Sequence, residues 1–185
     1  EKNYIANIFE KQNENEAITK ISITTPFFSF DNCKVYLNPN GSDKSYSSLQ
    51  EVELLEGSTE SLNLGYNTIE FANPIYITGD EFVVAIELST DEEGNAYFPI
   101  LKKDEEYGWV DVNPKSGECF IATRLEAEAN EWTDLYEYGI LPIKVFTNNV
   151  DEPVLSSIEI TQEPSKLEYY VGDAFNSNGM KVIAK

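Results

Sequence analysis

The stretch that decides the fold is EFVVAIELS, at residues 81–89. Side chains two positions apart share one face of an extended strand. One face therefore carries Phe82, Val84, Ile86 and Leu88, and the other carries Val83, Ala85 and Glu87. Because apolar side chains point to both sides, we expect this segment to be a strand at the centre of a sheet.

Similar short apolar runs recur on both sides of that strand. They are separated by clusters of Gly, Asn, Asp, Ser and Pro, and no segment keeps a helical period of 3.6 residues. Further strands are predicted at residues 4–9, 17–25, 33–37, 68–71, 75–77, 96–101, 118–123 and 141–147. Turn signals at residues 40–41, 91–95 and 113–117 favour antiparallel hairpins. The pattern predicts an all-β fold, an antiparallel, jelly-roll-like β-sandwich.

The organisation of the chain changes near residue 148. Residues 1–148 form the predicted sandwich, the polar segment 149–154 is typical of a linker, and residues 155–185 begin a second module. Extended pieces are predicted there at 155–160, 168–171 and 180–184. Domains below ~40 residues seldom fold alone. We therefore expect a module that is cut short, or one that borrows strands from another molecule, in a piece of a longer polypeptide.

The charge of the chain limits its partners. Its 185 residues include 13 Lys and Arg against 33 Asp and Glu, a net charge of −20. A field of that sign repels phosphate backbones and anionic lipid head groups, which argues against nucleic acid as a partner. The sequence has no apolar stretch of the ~20 residues that a membrane span requires, so membrane insertion is not expected. The excess of carboxylates serves solubility or leaves ligands for calcium.

The chain has two cysteines, Cys33 and Cys119, and no histidine. The cysteines are far apart and lack the spacing of a zinc site, so they form either one disulfide or two buried thiols. Without histidine, Ser-His-Asp and Cys-His nucleophilic sites cannot be assembled within the chain. Paired carboxylates ~5–9 Å apart would still permit glycoside hydrolysis, although the acidic runs at 91–93 and 104–106 are typical of solvated turns.

Binding of a carbohydrate needs a flat aromatic ring and hydrogen-bonding groups beside it. The candidate ligand-binding residues are Tyr107, Trp109, Arg124, Trp132 and Asp134. Tyr107, Tyr136 and Tyr138 are candidates for one exposed aromatic rim together with Trp109. The alternative is structural: Trp132 closes an end of the sandwich, and Trp109 covers a neighbouring hairpin. No cofactor is expected; calcium is the most plausible metal, although no EF-hand spacing is present.

Several of these segments together resemble a known family. The strings GYNTIEF (65–71), PIYI (74–77) and GDEFVVAI (79–86) resemble a lectin-like domain of clostridial secreted and surface proteins, a domain often appended to papain-like peptidases. Weaker matches are IANIF (5–9), VYL (35–37), SGECF (116–120), WTDL (132–135) and IKVF (143–146). The resemblance covers about residues 4–147 and includes Trp132, which fits a structural role for that residue.

A second resemblance begins after the linker. SIEI (157–160), Pro164, YYVGDAF (169–175) and GMKV (179–182) resemble the opening third of a bacterial immunoglobulin-like repeat of the group 3 type. Together the two resemblances imply a secreted or cell-surface, multi-domain parent protein. The leading hypothesis is a non-catalytic accessory module that binds a glycan or a surface protein in adhesion. The alternatives are a purely structural spacer and a glycoside hydrolase.

Overall fold

The structure is a computed structural model that describes residues 3–25, 33–58, 64–88, 97–102, 112–122, 131–149 and 157–184. The strands found there are β1 (Asn3–Glu10), β2 (Glu16–Thr25), β3 (Val35–Asn38), β4 (Gln50–Glu51), β5 (Gly65–Tyr76), β6 (Glu81–Leu88), β7 (Cys119–Ala122), β8 (Thr133–Asp134), β9 (Ile143–Asn149), β10 (Ile158–Gln162) and β11 (Lys181–Ala184). The expected all-β fold is confirmed.

The strands form antiparallel sheets in two compact units, residues 1–150 and 151–185. The first unit contains a six-stranded sheet in the order β4-β3-β6-β1-β7-β8 and a three-stranded sheet in the order β5-β2-β9. Side chains from both sheets meet in one large core cluster, which gives the sandwich. The second unit contains the β10–β11 hairpin.

Strand β6 is central, as its sequence predicts, with β3 on one side and β1 on the other. Its residues Phe82, Val84, Ile86 and Leu88 are buried in the core between the sheets. Val83 and Ala85 are also fully buried, in a smaller cluster on the outer face of the six-stranded sheet. Both faces of β6 are therefore covered.

The smaller cluster is rich in aromatic side chains from neighbouring strands. Its other members are Tyr4, Ala6, Tyr36, Leu49, Phe120, Ala122 and Trp132. The rings of Tyr4 and Tyr36 meet edge to face at 6.0 Å. Both hydroxyls donate to the same carboxylate oxygen of Glu87, at 3.3 and 3.2 Å. Glu87 is thus the polar partner of the two tyrosines on β6.

Four predicted strand segments differ in the structure. The segments 68–71 and 75–77 are joined in the single strand β5, which ends at Tyr76, because a register shift opposite β2 accommodates Pro74, which has no N–H to donate. Of the strand predicted at 96–101, the structure describes residues 97–101, where Leu101 forms only an isolated bridge with Ile140. The predicted piece 168–171 is not a strand.

The second unit has little burial of its own. The apolar side chains of Ile158, Ile160 and Val182 on its hairpin are 64%, 58% and 50% exposed. An exposed two-stranded hairpin has only marginal stability. Its assignment as a partial module, and the domain boundaries at 148 and 154, stay predictions.

Of the two alternatives for the cysteines, the structure has free thiols. Cys33 and Cys119 are unbridged and buried. Burial, with a smaller effect from the Glu87 charge, raises the pKa of Cys33 to about 12, and burial also raises the pKa of Cys119. Both thiols are therefore protonated and unreactive near neutral pH.

Among the described residues, no helix is long and apolar enough to cross a membrane.

Candidate functional site

Three of the five candidate ligand-binding residues, Tyr107, Trp109 and Arg124, lie outside the described residues. Their roles stay predictions. The structure describes the remaining two candidates, Trp132 and Asp134.

Trp132 connects two loops at the outer face of the six-stranded sheet. Its indole is 7% exposed and belongs to the smaller core cluster. Its Nε1 donates a hydrogen bond of 3.0 Å to the backbone carbonyl of Lys44. The ring therefore packs in the core, and its N–H fixes the loop around residues 43–48 against residues 131–138. Its role in ligand binding stays a prediction.

Lys44 reinforces the same junction. Its ammonium group lies 3.9 Å from the centre of the Phe120 ring, within the range of a cation–π interaction. Burial lowers the pKa of Lys44, although the nearby charges of Asp43 and Asp134 act in the opposite direction. The junction thus combines a hydrogen bond with a partly buried cation.

Asp134 holds the turn at residues 115–118. Its Oδ2 accepts hydrogen bonds from Ser116 Oγ and from the backbone N–H of Gly117, both at 2.8 Å. Its Oδ1 accepts the backbone N–H of Tyr136 at 3.0 Å. Burial by itself raises the pKa of Asp134, but these three hydrogen bonds and the charge of Lys44 lower it overall. The ionised carboxylate of Asp134 therefore links the turn at residues 115–118 to the loop that contains Tyr136.

The loops joined at Trp132 present exposed tyrosines. Tyr136 and Tyr138, predicted as members of an aromatic rim, are 44% and 55% exposed. Tyr46, on the loop that contains Lys44, is 60% exposed. The sequence analysis did not predict it as a rim residue, because its loop has no other aromatic residue. We call Tyr46, Tyr136 and Tyr138 the tyrosine rim.

The loop that carries Tyr46 is ordered by Asp43. The carboxylate accepts hydrogen bonds from the backbone N–H and the hydroxyl of Ser45, at 2.9 and 2.8 Å, and from the hydroxyl of Ser48 at 2.5 Å. These bonds lower the pKa of Asp43. A ring held on an ordered loop loses little entropy when it binds a ligand. The hydroxyls of Ser45 and Ser48 and the carboxylate of Asp43 thus lie in the same short loop as the Tyr46 ring.

A separate cleft of about 760 Å³ opens between the two sheets. It lies beside β9, the adjoining ends of β1 and β6, and the turn at 115–118. Phe9 and Phe82, which line it, stack with ring centres 5.4 Å apart. None of the candidate ligand-binding residues lines it, although Asp134 anchors the turn that forms one wall. Sequence reasoning missed this cleft because non-local pairing creates it.

The carboxylate of Glu16, in the wall of the cleft, is hydrogen-bonded within the protein. It accepts the backbone N–H groups of Gln12 and Asn13 at 2.7 and 3.2 Å, and the hydroxyl of Thr147. Burial alone raises the pKa of Glu16, but these hydrogen bonds and the charge of Lys11 lower it overall. A glycosidase acid catalyst needs a raised pKa. Glu16 has the opposite shift.

Among the described residues, the other carboxyl groups with shifted pKa values shift in the same direction as Glu16. The pKa values of Asp43, Asp134 and Asp173 are also lowered. Within the described ranges, no three carboxylate or thiol groups lie close enough together to hold a metal ion. Calcium binding stays a prediction.

A family model for the lectin-like domain matches residues 1–150. The chain belongs to the lectin-like domain family. The match confirms the resemblance that the sequence at 65–86 indicates. It also identifies the first unit as a lectin-like module. The match ends before the second unit, so the immunoglobulin-like resemblance stays a prediction.

Solved structures share this fold, among them the following two. One is the clostridial cysteine protease Cwp84 after propeptide cleavage, with a TM-score of 0.63 and 14% identity over 80% of this chain. The other contains the cysteine protease and lectin-like domains of Cwp84 from Clostridium difficile, with a TM-score of 0.54 and 16% identity over 80% of this chain. The aligned part is 36% and 32% of those longer chains. No curated protein matches.

Proposed function

We propose that this chain is a non-catalytic accessory module that binds carbohydrate through the tyrosine rim and holds its parent polypeptide at the cell surface. The observation that carries the proposal is the pair of ordered loops, joined by the Trp132–Lys44 hydrogen bond, that expose Tyr46, Tyr136 and Tyr138. Exposed tyrosine rings offer a flat apolar face to a sugar and a hydroxyl to its polar edge. Glycans, which are largely uncharged, also tolerate an acidic surface better than phosphate polymers do.

The architecture of the solved relatives supports an accessory role. Cwp84 joins a cysteine protease domain to a lectin-like domain, and it is described as a surface layer associated protein. By analogy, the present module would be linked to other domains of the same polypeptide and would act outside the cell. The absence of histidine from all 185 residues supports a role without nucleophilic catalysis.

The test is a glycan array probed with the full 185-residue chain. We expect at least one saturable glycan ligand, and we expect Tyr46→Ala, Tyr136→Ala and Tyr138→Ala each to weaken its binding about tenfold, or about 1.4 kcal/mol. The matched control is Tyr66→Ala, which removes a tyrosine that is 56% exposed on β5 in the smaller sheet. Equal effects of the rim and control substitutions would contradict the assignment of the site.

A structural spacer is the second candidate. The net charge of −20 favours it, because self-repulsion keeps modules of a surface protein apart and soluble. A spacer has no saturable ligand. Failure to bind any glycan or surface protein, with thermal unfolding unchanged, would favour the spacer over the binding module.

A further inference from the structure

The chain contains two Asn-Gly bonds, Asn40-Gly41 in the first unit and Asn178-Gly179 in the second. Asparagine is chemically labile in such a bond, because glycine has no side chain to keep its amide nitrogen away from the asparagine side chain. That nitrogen can then attack Cγ of the asparagine. Both asparagines are exposed, so exposure alone does not distinguish the two bonds. The hydrogen bonds of the backbone do distinguish them.

The backbone of Asn40-Gly41 is held in place. The N–H of Gly41 donates a hydrogen bond of 2.8 Å to the carbonyl of Glu81. The backbone of Gly79 packs against the same peptide bond, because a Cβ at position 79 would lie 2.7 Å from the nitrogen of Gly41. Attack requires this nitrogen to lose its proton and to approach the asparagine side chain. The hydrogen bond and the packing oppose both steps.

The bond between Asn178 and Gly179 has a different environment. It lies in a turn closed by a hydrogen bond of 2.9 Å from the N–H of Met180 to the carbonyl of Ser177. Within the described part of the chain, the N–H of Gly179 donates no hydrogen bond. Gly179 is also exposed, so water reaches the bond. The nitrogen that attacks is therefore not held by an acceptor.

The backbone of Ser165 activates this second bond. Its N–H donates a hydrogen bond of 2.8 Å to the carbonyl oxygen of Asn178. When the nitrogen of Gly179 loses its proton, amide resonance spreads the negative charge to that oxygen. A fixed donor at a position where charge develops stabilises the charged species. The Ser165 N–H thus makes the attacking nitrogen more acidic.

We propose that Asn178 converts spontaneously to aspartate and isoaspartate in the folded chain, whereas Asn40 is protected. The nitrogen of Gly179 forms a bond to Cγ of Asn178, and the side-chain NH₂ group leaves with the proton of that nitrogen as ammonia. Water then opens the resulting succinimide ring at one of its two carbonyl carbons. Opening at the main-chain carbonyl gives isoaspartate, and opening at the side-chain carbonyl gives aspartate. Either product carries one new carboxylate.

The modification changes the second unit and leaves the first unit intact. It adds one negative charge beside the turn, and isoaspartate also places Cβ of residue 178 in the main chain. The lengthened backbone lies three positions before β11, which begins at Lys181. We therefore expect the pairing of β10 with β11 to weaken as the chain ages, while the sandwich is unchanged.

Ageing of the full 185-residue chain at mildly alkaline pH, followed by peptide mapping with mass spectrometry, tests the proposal. In native buffer we expect residue 178 to exchange its amide for an acid at least about tenfold faster than residue 40, because folding protects only Gly41. In urea the two rates should be similar. The rate at residue 178 should be at least as high in native buffer as in urea. Equal rates in native buffer, or no reaction at residue 178, would overturn the proposal.

A matched pair of variants tests the activation by Ser165. Ser165→Pro removes the N–H that donates to Asn178, whereas Ser165→Ala keeps it. Ser165→Ala removes only the hydroxyl, whose oxygen lies 2.6 Å from the place that a Cβ at Gly179 would take. In native buffer we expect Ser165→Pro to slow the reaction about fivefold, as for the loss of one hydrogen bond, and Ser165→Ala to leave it unchanged. Neither substitution should change the rate in urea. Equal rates for both variants in native buffer would contradict the activation by the backbone N–H.

Discussion

At the scale of single residues, Glu16 and Asp134 show how carboxylates serve this fold. Each lies beside a turn and accepts three hydrogen bonds. The sequence indicates that Asp134 stands beside Trp132, but not that it reaches across 17 positions to Gly117. Gly117 has a φ of 91°, so the turn that Asp134 holds has a backbone shape that favours glycine.

Removing the charge of Glu16 should destabilise the fold. Glu16→Gln keeps the size of the side chain but replaces one acceptor oxygen with a donor that faces N–H groups and a hydroxyl. Hydrogen bonds to charged groups contribute about 2 kcal/mol, so we expect a loss of about that size in the free energy of unfolding. Urea unfolding measures it. Glu14→Gln, at an exposed position of the same turn, should have no effect; equal losses would contradict the role of Glu16.

Acid should remove the contribution of Glu16. The pKa of Glu16 is lowered in the folded state, so its stabilisation is fully present above the unfolded pKa of about 4.3 and is lost as the pH falls through the folded value. The difference in unfolding free energy between the wild-type chain and Glu16→Gln should therefore shrink as the pH falls below about 4. A difference that stays constant down to strong acid would refute this linkage.

At the scale of secondary structure, β6 was predictable because its run of apolar side chains is long and covers both faces of the strand. The partition of strands into sheets of six and three was not, because it depends on pairings distant in sequence, such as β1 with β6 and β7. The strands β4 and β8 have two residues each and are too short to show any period. The prediction divided β5 into two segments on either side of residues 72–74, whereas a register shift accommodates Pro74 within one strand.

Burial on both faces of β6 gives a prediction about its valines. Val84 faces the core between the sheets and Val83 faces the smaller cluster, and both are 0% exposed. Val83→Ala and Val84→Ala should therefore cost similar amounts, about 2 kcal/mol each, in denaturant unfolding. Thr68→Ala, at an exposed position of β5, should change stability by less than about 0.5 kcal/mol. A Val83→Ala variant as stable as the wild-type chain would show that the outer face is not packed.

At the scale of the whole molecule, composition and strand pattern were enough for the fold class, and the matched strings were enough for the family. The proposed carbohydrate-binding surface was only partly predictable. Tyr136 and Tyr138 were predicted, with Tyr107 and Trp109, for an exposed aromatic rim, whereas Tyr46 lies on a loop that is linked to theirs by the hydrogen bond between Trp132 and Lys44, which are 88 positions apart. Sequence proximity cannot show such a link, because folding creates it.

The most direct test of the central claim is a calorimetric titration of the 185-residue chain with the strongest glycan from the array. The account predicts saturable binding by the wild-type chain and none by the triple variant Tyr46→Ala/Tyr136→Ala/Tyr138→Ala, with unchanged circular dichroism and thermal midpoint. Undiminished binding by the folded triple variant would contradict the claim that the tyrosine rim is the carbohydrate site.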